Sequence, residues 1–196
     1  MMTLKAEKRD MSVKAKKLRR QGMVVGNLYG REMKEAVPIQ MTVLDAERFL
    51  KSNAKGSQAI LDLDGQKINV LLKNEEYLPL KHEYQNVDFQ ALVEGEVVVA
   101  TAPIILLNAE KVVGFLHHTL NEVTYKAVPS ALIEKIEIDL AGMKAETNVF
   151  VGDLDIAKNK DIELVTPADS LILHIAEHQK GVMEGEEEET AATAEA

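Results

Sequence analysis

AILDLDGQKINVLLK, residues 59–73, holds two apolar runs, Ala59–Leu63 and Lys67–Lys73, on either side of Asp64-Gly65. Two strand-like runs joined by Asp-Gly are a strong hairpin signal, because the tight turn needs positive φ at both central positions. Working outward, Met23–Tyr29 is a strand candidate interrupted by Gly26 and stopped by Gly30. Val37–Val43 is another, with Pro38 near its start, which points to a sheet edge. Thr3–Arg9 alternates, with Leu4 and Ala6 on one face and Lys5 and Glu7 on the other. Glu83–Leu92 carries Tyr84, Val87 and Phe89 as its larger apolar residues. Two short helices fall between these strands. Ser12 reads as the N-cap of Val13–Gln21, which Gly22 ends, and Asp45 as the cap of a helix through about Asn53 with Phe49 and Leu50 as its apolar contacts. Short strands with two short helices in this span predict a compact β-barrel.

Beyond about Glu94 the sequence becomes acidic and rich in Val and Ile. Val97–Ala100, Ile104–Leu107, Phe115–Lys126, Ile133–Leu140, Asp161–Val165 and Ser170–Glu177 read as strands, spaced by Pro103, Gly114, Pro129, Gly142, Gly152 and Pro167. That spacing predicts a second antiparallel β-domain. Residues 181–196, with Glu186–Glu189 and an Ala/Thr end, have the composition of a disordered acidic tail. The expected division is a barrel domain at 1–92, a β-domain at 93–180 and the tail at 181–196.

The 196 residues are 46% hydrophobic and 28% charged, which suits a globular chain. No apolar run is long enough for a membrane helix, and MMTLKAEKRD lacks the apolar centre of a signal peptide, so a cytoplasmic location is expected. Cysteine is absent, which removes disulfides, thiolate metal sites and a cysteine nucleophile. The net charge of −9 is unevenly spread: residues 1–90 carry 16 Lys and Arg against 12 Asp and Glu, while 91–196 carry 7 against 20. Such asymmetry suggests a nucleic-acid-facing part joined to an acidic part.

Lys5, Lys8, Arg9, Lys14, Lys16, Lys17, Arg19 and Arg20 crowd into sixteen positions, opposed only by Glu7 and Asp10. Several cations on one short helix can hold the phosphates of one backbone, and they can equally form an ordinary solvated basic face. Tyr29, at a strand end beside that helix, can stack on a nucleotide or pack its ring on the barrel rim. Asp62-Leu63-Asp64-Gly65 lacks the further ligands of a calcium loop and reads as a turn. His117 and His118 are adjacent and point to opposite faces of a strand, and His82, His174 and His178 have no ligand spacing with them that sequence justifies. No phosphate loop, nucleophile elbow or HExxH is present, so neither catalysis nor a cofactor is expected.

TLKAEKR, AKKLRRQG, the strand ending NLYGR, LDLDGQKINVLLK and NVDFQAL occur in this order. Together they resemble the bacterial large-subunit ribosomal proteins that bind 5S rRNA (the twenty-fifth protein of that subunit), in the long two-domain form that includes the general stress protein Ctc. The resemblance covers roughly residues 3–180. It implies an RNA-binding barrel similar to some tRNA-synthetase anticodon-binding domains, a C-terminal all-β domain, and a structural role in translation on the large ribosomal subunit. By position it carries RNA contact onto Arg9, Lys16, Lys17 and Tyr29, with Lys14, Arg19 and Arg20 as nearby phosphate contacts and Asp88 orienting a basic side chain or accepting from a base. The family's Gln-Arg-His-Pro is here Glu76-Tyr77-Leu78-Pro79, its His-Val-Asp-Phe is Asn86-Val87-Asp88-Phe89, and a following arginine is Gln90 or Ala91. These changes remove positive charge from the RNA face. They motivate a second reading, a stress-linked interaction protein acting through its acidic β-domain. Neighbouring ribosomal proteins are further expected partners of that domain, and neither membrane nor DNA is.

Overall fold

The computed structural model describes residues 2–177. The first part runs β1 (Met2–Lys8), α1 (Ala15–Arg20), β2 (Met23–Tyr29), β3 (Val37–Thr42), α2 (Val43–Ser52), β4 (Gln58–Leu63), β5 (Gln66–Leu78) and β6 (Glu83–Ala91). Its six strands close into a barrel in the order β1-β3-β2-β6-β5-β4. Closure comes from the parallel β1–β4 pair, in register from Met2↔Ala59 to Ala6↔Leu63. The Asp64-Gly65 turn forms as expected, with φ of 52° and 90° and Leu63 paired to Gln66. Leu4, Leu28, Ile39, Leu61, Val87 and Phe89 fill the interior, and α2 adds Phe49 to it, its ring 6.0 Å from that of Phe89.

Several local expectations change. The β2 strand runs unbroken through Gly26, where a side chain would meet the backbone: a Cβ there would lie 2.0 Å from the Val87 carbonyl oxygen. Glycine permits this close approach of β2 and β6 rather than ending the strand. Pro38 is not on an edge, since the barrel has none. Its carbonyl accepts from the Arg9 N–H at 2.9 Å, just past the last β1–β3 ladder pair, Lys8↔Ile39, so the N–H that proline lacks breaks no ladder bond. Ser12 does not cap α1. It donates to Asp10 instead, from its N–H at 2.8 Å and its hydroxyl at 2.7 Å, and the helix starts later, at Ala15. Thr42, not Asp45, caps α2: its hydroxyl accepts from the Asp45 N–H at 3.1 Å and donates to the Asp45 carboxylate at 2.7 Å.

The second part contains β7 (Val98–Leu107), β8 (Phe115–His118), β9 (Glu122–Ala127), β10 (Ile136–Asp139), β11 (Asn148–Phe150), α3 (Asp155–Lys158), β12 (Ile162–Leu164) and β13 (Leu171–Ala176). Two sheets form, β10-β7-β9-β12 and β11-β13-β8. Pro103 does not divide β7, and Phe115–Lys126 is two strands in different sheets. The expected antiparallel arrangement holds except at β10, which pairs parallel to β7 from Ile136↔Ile104. Tyr125 is fully buried at the centre, and its hydroxyl is satisfied by Ile133 alone, accepting from the N–H at 2.7 Å and donating to the carbonyl at 3.0 Å. That pairing avoids the ~1–3 kcal/mol cost of an unpartnered buried hydroxyl.

The two parts share a seam. Leu71, fully buried on β5, belongs to the core cluster of the second part rather than the barrel's. Around it the Lys73 ammonium donates to the Val99 carbonyl at 2.7 Å, Gln58 donates to the Pro129 carbonyl at 2.8 Å, and Lys55 pairs with Glu122 at 3.3 Å. The acidic segment 181–196 and His178 lie outside the described residues. Among those described, no helix is long and apolar enough to cross a membrane.

Candidate nucleic-acid interface

Helix α1 lies on the outer surface of the barrel against β2. Leu18 and Val25 are buried although neither belongs to the barrel interior, which is the signature of a helix laid flat on a strand's outward face. Two arginines fix it there. Arg9 donates from Nη2 to the Val13 carbonyl at 3.1 Å, which holds the loop entering the helix. Its Nε is buried and has no hydrogen-bond partner among the described residues. Arg19 donates from Nε to the Gln85 carbonyl at 3.0 Å, which ties the helix to β6.

With the helix pinned, its remaining cations face outward. Lys14, Lys16, Lys17 and Arg20 are exposed, and none takes part in an ion pair or side-chain hydrogen bond among the described residues. Four uncommitted cations between positions 14 and 20, at the start of α1 and along it, can neutralise phosphate without first breaking an internal bond. Arg9 and Arg19 thus position the helix through one N–H each, and the other four cations make no side-chain bond among the described residues.

Beside the helix, alternation along β2 turns Asn27 and Tyr29 outward, while parallel pairing sets Asn27 against Asp88 and Tyr29 against Gln90. Both carboxylate oxygens of Asp88 accept from amides, one from Asn27 Nδ2 and one from Asn86 Nδ2, each at 3.0 Å. Among the described residues, Asp88 thus orients two amides and no basic side chain. Each amide keeps its oxygen and one N–H for an outside partner, the donor–acceptor pair that reads base edges. Asn27 was missed by sequence reasoning, although its period-two spacing from Tyr29 on one strand was a usable signal. Burial first, then the Asp88 carboxylate, pushes the Tyr29 phenol above its ordinary value, so it remains a neutral donor at neutral pH. Across the next pair, Glu76 on β5 stands opposite Asn86 and brings negative charge to the same side of the barrel. Phe89 is fully buried in the core and takes no part in this surface. No group of three or more His, Cys, Asp or Glu among the described residues is placed to hold a metal ion.

Comparison with known proteins agrees with this two-part organisation. The model of the Ribosomal L25p family matches residues 4–89, and that of the Ribosomal protein TL5, C-terminal domain, matches residues 97–179. A protein named large ribosomal subunit protein bL25 from Dictyoglomus thermophilum is 32% identical over 183 residues, covering 88% of this chain and 87% of its own. Proteins of the same name from Finegoldia magna and Alkalilimnicola ehrlichii are 28% and 29% identical, covering 96% and 90% of this chain and 91% and 86% of theirs.

Proposed function

The chain belongs to the ribosomal L25p family, in its long two-domain form, and on that premise we propose that it is a structural component of the bacterial large ribosomal subunit that binds 5S rRNA. The family is structural and not enzymatic, so the activity is binding without turnover. The protein works in the cytoplasm, on the ribosome. The carrying observation is the set of uncommitted cations on a pinned helix, Lys14, Lys16, Lys17 and Arg20, next to the oriented amides of Asn27 and Asn86. Cations supply sequence-independent attraction to phosphate, and the amides with Tyr29 supply contacts to bases or ribose. The lysines act as point charges; they lack the bidentate fork of arginine. The acidic second part faces away from the RNA, because phosphate repels it, and is left to meet neighbouring ribosomal proteins.

Glu76 opposite Asn86 favours a second reading, a stress-linked interaction protein of the same fold with weakened RNA binding. Co-sedimentation separates the two. Retention on the large subunit through moderate salt is expected for the first reading. Recovery only in the soluble fraction overturns it and leaves the second.

A further inference from the structure

We propose that His117 and His174 form a two-ligand chelating site for a borderline divalent transition ion such as Zn2+, Ni2+ or Cu2+. His117 on β8 stands directly opposite His174 on β13 in the antiparallel register. Directly opposed side chains share one face of a sheet, with Cβ atoms about 4.5–5.5 Å apart. The two imidazole rings lie 6.2 Å apart, centre to centre, and are inclined by only 17°. A zinc ion sits about 2.0–2.1 Å from an imidazole nitrogen, so two rings sharing one ion have centres no more than about 6.5 Å apart. The separation is already within that limit, and the rings must turn out of their near-parallel stack so that one nitrogen of each points at the same ion.

A neighbour sets the chemistry of the second ring. His174 Nδ1 lies 2.7 Å from Asn148 Oδ1, on β11. An amide oxygen can only accept, so Nδ1 is the donor, and in the neutral ring Nε2 then has the lone pair an ion needs. This is the outer hydrogen bond that orients ligating histidines in metalloproteins. Next to it, Glu146 and Glu177 line a cavity of about 580 Å³ that His174 and Asn148 also border. Their carboxylates attract cations without ligating, and water completes the coordination. Imidazole pairs favour copper, nickel and zinc over magnesium. The β8 strand has β13 as its only strand partner in this sheet, so a shared ion would cross-link an edge strand to its neighbour.

Calorimetric titration of the full, untagged chain with ZnCl2 and NiCl2 tests the site. One ion per chain is expected, with no heat from MgCl2. His117→Ala and His174→Ala should each weaken binding at least tenfold, and Asn148→Ala by about tenfold. His118→Ala, opposite Leu173 in the register, should leave it unchanged. Unaltered binding in His174→Ala, or equal loss in His118→Ala, overturns the site, as does the absence of binding to the unaltered chain. Since a variant could lose β8 itself, Ni2+ broadening of imidazole NMR signals in the unaltered chain gives a second reading. Broadening confined to His117 and His174 supports the site, and broadening spread over all histidines contradicts it.

Discussion

Gly26→Ala is expected to lower the melting temperature of the chain by about 5–10 °C or more, from an overpacking cost of about 1–3 kcal/mol or above. The added Cβ would stand 2.0 Å from the Val87 carbonyl oxygen, in the middle of the parallel β2–β6 ladder. A flexible side chain could step aside, but a backbone carbonyl held in a closed barrel cannot. Relief comes only from prying β2 from β6, and that opens the barrel wall and separates Asn27 from Asp88. Circular dichroism melting measures the first effect. Affinity for 5S rRNA, scored per folded molecule, should fall with it. A variant that melts within about 1 °C of the unaltered chain would show that the two strands are not as close as described.

The second large effect concerns the seam. Leu71→Ala in the full chain should cost about 2–5 kcal/mol, the range for emptying a fully buried leucine site. The same substitution in a fragment of residues 1–92 should cost almost nothing, because the apolar surface that Leu71 fills belongs to the other part. This comparison rests on the proposal that 1–92 is a domain and tests it at once. A fragment without a cooperative melt would defeat the domain proposal. A fragment that melts cooperatively but loses as much from Leu71→Ala as the full chain would place Leu71 in the barrel's own core. The unaltered fragment should also self-associate more than its Leu71→Ala form, since Leu71 and Leu92 lose their cover.

What was legible in the sequence was mostly what is local. The Asp64-Gly65 turn, the inward Leu4 and Ala6, the buried Phe49 and Leu50 and the outward lysines of α1 all follow from a few adjacent residues, and the structure contains each of them. Alternation states which face a residue takes but not what that face meets. Leu71 falls between the inward Val70 and Leu72, yet it is buried, because a second core covers the barrel there. Gly26 reads as a break, since the residue type that ends strands also serves where another backbone comes close, and Pro103 reads as one although β7 runs through it opposite Glu122. The parallel β10–β7 pair could not be read, because strand direction is set by the path of distant segments. The same limit applied to the candidate interface. The cations were visible as a cluster, but the tethering of Arg19 to Gln85 and of Asn27 to Asp88 depends on partners 66 and 61 residues away. His117 and His174 come together by strand pairing across a span that no spacing rule covers.

The proposed function has cations on α1 holding the phosphates of 5S rRNA. It is tested most directly by the salt dependence of binding for the unaltered chain and for the double variant Lys16→Ala/Lys17→Ala. Both lysines are exposed and make no side-chain bond among the described residues, so the variant should keep its fold. The predicted result is weaker binding at low salt and a shallower slope of log K against log salt, by up to about 0.9 for each phosphate no longer neutralised. A double variant with the affinity and slope of the unaltered chain would contradict the account.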